Sequence, residues 1–146
     1  MATNLEFINQ TEVTSGVTTV NVDNVFSADY DVYYCNIIGL YHNLNVSNGV
    51  EGIRFIDSGG SVISDSEYDW AEMDLTSYAS FAQNRNTAQN KGLLGYTGGT
   101  GTADMGGFLT TVYNPNDSSS YTFYNGQSSI KASSGLAGAK YIGVHK

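Results

Sequence analysis

From residue 30 to 41, apolar or aromatic side chains fill both parities of a period-two pattern: Val32, Tyr33, Tyr34, Cys35, Ile37, Ile38, Leu40 and Tyr41. A strand of that make-up is covered on both faces, and the β-branched and aromatic types favour strand over helix. The chain then crosses the polar stretch HNLNVSNG, 42–49. It returns with Val50, Ile53, Phe55 and Ile56 around Arg54 and stops at DSGG, 57–60. The pattern predicts that 26–60 is the central antiparallel hairpin of an all-β domain.

The rest of the chain reads as further short strands between turn signals. NLEFIN, 4–9, fits a short first strand. In 17–26, Val20 and Val22 share one face with Thr19, Asn21 and Asp23 opposite, the mark of a half-exposed strand. Segment 76–92 is polar and fits either a short helix or a long excursion, with Tyr78 and Phe81 three apart. Residues 92–96, 108–113, 121–130 and 139–145 read as strands, and NPNDSSS, 114–120, as a turn around the only proline. About eight or nine short strands with turns every 8–12 residues predict an antiparallel β-sandwich or jelly-roll-like fold. At 146 residues the chain is read as one domain, 1–146, with 1–16 as an N-terminal arm.

Charge narrows the partners. Fourteen acidic against six basic residues leave a net −8. That balance disfavours nucleic acid and anionic membranes, both polyanions. No apolar run approaches the roughly 18 residues of a membrane span. The start has neither a basic n-region nor an apolar h-region, so synthesis in a host cytoplasm without a signal peptide is expected. A single cysteine excludes an internal disulfide and a Cys-based metal cluster within one chain.

Candidate chemistry is sparse. The glycine-rich 97–107 lacks the Lys-Ser/Thr and the following helix of a phosphate cradle, and reads as a surface loop. Asp65, Glu67 and Asp69 share one parity, Glu72 and Asp74 the other. Same-face carboxylates suit Ca²⁺, but without EF-hand spacing they read as a solvated edge strand whose charges deter aggregation. His42 and His145 sit in no nucleophile motif and read as surface residues; Cys35 reads as a buried, inert thiol, and Tyr34 and Tyr113 as core. No catalytic residue, metal or cofactor is assigned, and no enzymatic activity is expected. Tyrosine is the notable abundance, 11 in all. Being large, stiff and amphipathic, it suits interfaces. Tyr78, Phe81, Tyr96, Tyr121 and Tyr124 lie in or beside polar segments and are the expected partner-contact residues.

The strings SADYDVYY (27–34), IIGLY (37–41), IRFIDSGGSVISDSEYDWA (53–71) and VYNPNDSSSYT (112–122) resemble modules of tailed-phage virion proteins, of marine and cyanobacterial type. The resemblance spans roughly residues 20 to 130 as a succession of strand ends and turns. It implies a β-sandwich displayed on a virion, often as a homotrimer, in a fibre, spike or capsid decoration. The chain has no room for a separate shaft. The shortness therefore favours a capsid-surface decoration, cement or head-fibre subunit bound to the major capsid protein or tail proteins. A tail-fibre or spike module recognising host glycans is the alternative. An enzyme acting on glycans through the 65–74 carboxylates is a third and weaker one.

Overall fold

The computed structural model describes residues 5–40, 49–97, 105–132 and 134–146. Among them are eight strands: β1 (Val32–Leu40), β2 (Gly49–Ile53), β3 (Tyr68–Thr76), β4 (Ala82–Gln89), β5 (Gly92–Thr97), β6 (Gly106–Tyr113), β7 (Thr122–Ala132) and β8 (Gly135–His145). Six form one antiparallel sheet in the order β1-β6-β7-β8-β3-β4, and β2 and β5 form a second, two-stranded sheet against its inner face. The fold is all-β and antiparallel, as predicted.

Alternation explains the large sheet. Along β7, Thr122, Tyr124, Ser128, Ile130 and Ala132 point inward while Phe123, Asn125, Gln127, Ser129 and Lys131 face solvent. β8 runs beside it from Thr122↔His145 to Ala132↔Gly135, and its Ala137, Ala139 and Tyr141 point inward too. The core lies between the layers, with Tyr33, Phe55, Tyr68, Leu93, Phe108, Val112, Tyr124 and Tyr141 at its centre.

Buried tyrosine hydroxyls fasten the covering layer to the sheet. Tyr124 Oη accepts the Leu93 N–H of β5 at 2.9 Å. Tyr68 Oη accepts the Phe55 N–H at 3.0 Å and donates to the Ile63 carbonyl at 3.1 Å. Tyr33 Oη accepts the Ser27 N–H at 2.8 Å and donates to the Ser27 carbonyl at 3.0 Å. Each ring fills core while its hydroxyl satisfies backbone groups that have no ladder partner.

The turns follow from side-chain acceptors. Asp57 Oδ1 accepts the Gly59 and Ser61 N–H groups at 2.9 and 2.8 Å, so DSGG is a turn as its composition predicts. The resulting tight loop carries Phe55 and Ile63 into the core. In the β6–β7 connection, Asp117 accepts from the Ser119 and Ser120 hydroxyls and the Ser119 N–H, which lowers its carboxyl to about 2.

Several local expectations are overturned. The 26–60 hairpin does not form: β1 pairs with β6, and β2 pairs with β5. Segments 5–9 and 17–26 hold no strand, although their alternation fits one. Segment 76–92 is neither helix nor loop excursion, because β4 occupies its centre, 82–89. A polar edge strand shows no apolar alternation, so its signal is weak. Residues 68–74 are not an edge strand either, since β3 is paired on both sides, by β4 and β8, and Asp65 precedes it in a bend.

Candidate functional site

The inner face of the large sheet carries a small cover, and its outer face carries none among the described residues. On that outer face three rows run in register across β1, β6, β7 and β8. They are Val32, Tyr113, Phe123, Val144; Tyr34, Thr111, Asn125, Ile142; and Asn36, Leu109, Gln127, Lys140. Of their apolar members, Val32, Tyr34, Leu109, Phe123 and Ile142 are open to solvent, and Tyr113 and Val144 are half-buried. Tyr34 is 64 % exposed and Ile142 62 %, and Ile38 beyond the last row is 80 % exposed. An apolar stretch of this extent on one face marks an interaction surface. Between the rows lies a shallow depression of about 270 Å³ lined by Leu109, Thr111, Asn125, Gly126, Gln127 and Lys140.

Charge on this surface is opposite to that of the chain. The outward positions of β1, β6, β7 and β8 include Lys131 and Lys140 and no acidic residue. These four strands of a chain of net −8 thus carry only lysine as outward charge, while Asp69 of β3 continues the first row beside Val144.

The five aromatics picked from the sequence do not share a surface. Tyr78 and Phe81 are exposed in the β3–β4 turn, beside the β7–β8 hairpin tip, where Ser77 and Leu136 exchange hydrogen bonds. Tyr121 is exposed at the opposite end, just before β7. Tyr96 is half-buried and donates its hydroxyl to Glu72 Oε1 at 3.2 Å. Tyr124 is 1 % exposed and belongs to the core, where burial raises its hydroxyl pKa. The segment's polarity misled, because the polar neighbours of Tyr124 are outward residues of an alternating strand. Tyr34 is the converse: read as core, it stands on the open face. Tyr113 is only half-buried, on the same face.

The acidic stretch is split by its parity. Asp69 points outward, accepting the Ala88 N–H and pairing with Lys146 Nζ at 2.5 Å. That pairing, chiefly with Lys146, lowers its carboxyl. Glu72 and Asp74 point inward, and Asn84 Nδ2 donates to both, at 3.1 and 3.3 Å. Glu72 is 8 % exposed, and burial raises its carboxyl, with Asp74 adding to the effect. These residues are therefore not a solvated charge cluster. No group of three or more His, Cys, Asp or Glu residues converges as metal ligands among the described residues. His145 is not on the surface: it packs on Tyr68 and Phe55 beside Glu67. Cys35 keeps solvent contact, contrary to expectation, yet burial against the inner face raises its thiol pKa. His42 and most of the glycine-rich loop lie outside the described residues.

Comparison with family models, curated proteins and solved structures found no match to this chain.

Proposed function

We propose that the chain is a non-enzymatic structural subunit of a phage virion, a capsid-surface decoration, cement or head-fibre protein that works as a homo-oligomer, a trimer by the resemblance. The observation that supports this reading best is the open outer face of the large sheet, apolar with a basic fringe and wide enough to seat a neighbour. Many copies of a small domain, each adding a modest contact across a shell, multiply weak interactions into resistance to rupture. Locating the protein on purified particles by cryo-electron microscopy tests the reading. Density for it at regular positions on the head is the expected result, and its absence from particles rejects the reading.

A second reading is kept for one observation. The outer-face depression is lined by Thr111, Asn125 and Gln127 and flanked by Tyr34 and Tyr113. Amides beside aromatic rings suit a sugar, so a tail-fibre or spike module for host glycans is the alternative. Adsorption of the purified protein to host cells, competed by their polysaccharide, distinguishes it from decoration.

A further inference from the structure

We propose that the inner side of the β3–β4 ladder is a calcium site: Glu72 and Asp74 of β3 hold a Ca²⁺ ion between them, with Asn84 of β4 and Tyr96 of β5 beside it. The site lies on the opposite side of the large sheet from the open outer face and stands independently of the virion reading.

Four polar side chains converge here. Glu72 and Asp74 are two apart on β3, so their side chains share the inner face. Asn84 is paired with Glu72 in the ladder, and its Nδ2 donates to Glu72 Oε1 at 3.1 Å and to Asp74 Oδ2 at 3.3 Å. From the covering layer, Tyr96 Oη donates to Glu72 Oε1 at 3.2 Å. Burial, and then both carboxylates, raise the pKa of that hydroxyl, which therefore lies against the pair.

The second oxygen of each carboxylate points to a ligand. Glu72 is 8 % exposed, and its Oε2 is buried with no hydrogen-bond partner. Asp74 Oδ1 is buried and unpartnered in the same way. The two donors, Asn84 and Tyr96, are taken up by Oε1 and Oδ2. Neither carboxylate belongs to an ion pair among the described residues. The cations nearest in register, Arg85 opposite Ala71 and Lys140 opposite Met73, belong to the outer face. Neighbouring carboxylates turned inward without a countercharge are costly. β3 is an interior strand, so these charges do not guard an edge. A cation between Oε2 and Oδ1 satisfies both oxygens and supplies the missing charge.

The ligand set selects the ion. It offers oxygen alone, with no imidazole or thiolate, and so suits a hard cation rather than zinc or copper. Two acids fall short of an all-acidic site. A half-turn of the Asn84 amide presents its Oδ1, and Tyr96 Oη and water from the exposed β4 side complete the roughly six to eight oxygens that calcium takes. Mg²⁺ is disfavoured because it keeps several waters, whereas Oε2 and Oδ1 are closed to solvent. Two carboxylates make a weak site, with Kd roughly 10⁻⁴–10⁻³ M.

The test uses full-length protein, stripped with a chelator and titrated with CaCl₂ at fixed ionic strength. Calorimetry reads stoichiometry, thermal scans read Tm, and residue-resolved amide chemical shifts read the place. The expected result is saturable binding of a single ion per chain, a raised Tm, and shifts centred on Glu72, Asp74 and Asn84. Glu72→Gln and Asp74→Asn are each expected to weaken binding by about tenfold or more. Asp65→Asn, in the bend before β3, is expected to leave it unchanged. The absence of saturable binding overturns the inference. So does an equal rise in Tm with MgCl₂ or with added NaCl, which is general screening of a chain of net −8. Binding that survives both variants, or shifts centred elsewhere, overturns it as well, and the wild-type shifts decide if a variant fails to fold.

Discussion

Tyr124 on β7 and Gly143 on β8 face each other across the ladder, and the tyrosine ring lies over the glycine. Two residues on, the pairing is reversed, with Gly126 opposite Tyr141. Each large ring takes the space the opposite residue leaves, so two tyrosines fit in adjacent rows of one face. A Cβ at position 143 falls inside the Tyr124 ring. Gly143→Ala is therefore expected to destabilise by roughly 1–3 kcal/mol through overpacking. Each kcal/mol is read as about 2–4 °C in Tm by calorimetry. Combined with Tyr124→Leu, the cost is expected to be less than additive, because the clash is already gone.

The Tyr124 hydroxyl makes a separate prediction. Tyr124→Phe keeps the ring and leaves the buried Leu93 N–H without its acceptor. The expected cost is about 1–3 kcal/mol, with faster amide exchange at Leu93. Tyr33→Phe is expected to cost less, because the Ser27 groups it serves are only part-buried and water replaces the bond. A comparison of the two variants by denaturant unfolding checks the order.

Glu72 makes stability depend on pH in the sense opposite to a salt-bridged carboxylate. Burial raises its carboxyl in the folded state, so the fold holds that proton more tightly than the unfolded chain does. Its contribution is fully favourable below the ordinary carboxylate range and is lost as pH rises through the raised value. Glu72→Gln is expected to raise Tm at about pH 8 and to give no gain at about pH 4. Thermal scans of both proteins at the two pH values check it, and a gain of equal size at both removes the assignment.

The outer face yields a test that leaves the core alone. Ile142→Glu places a carboxylate in the middle row of the open face, at a site 62 % exposed. Stability is expected to change by no more than about 0.5 kcal/mol, as for an ordinary surface site. Self-association, followed by sedimentation, is expected to weaken, since a buried unpaired charge is costly at an interface.

The sequence carried the fold class plainly, because alternation and turn chemistry are local. DSGG and NPNDSSS bend where their Asp side chains accept backbone N–H groups, a property visible in the residues themselves. Pairing was not visible. The β1 and β2 segments read as one hairpin, yet β1 found its partner beyond four other strands and β2 beyond two, because layer packing rather than proximity decides. The open face was equally hidden. Tyr34, Phe123 and Ile142 come from three strands and meet only through register. Tyrosine abundance suggested interfaces, whereas Tyr33, Tyr68 and Tyr124 serve the interior as pegs for backbone that has no ladder partner.

β8, the last of the eight described strands, sits between β7 and β3 and joins the two halves of the large sheet. During synthesis the β6–β7 and β3–β4 ribbons therefore emerge with no ladder between them, held only by the covering layer that packs on both. Each presents a bare margin until residues 135–145 leave the ribosome. A chain stopped short of residue 135 is expected to stay unassembled and prone to clumping, so the large sheet closes only after β8 has arrived.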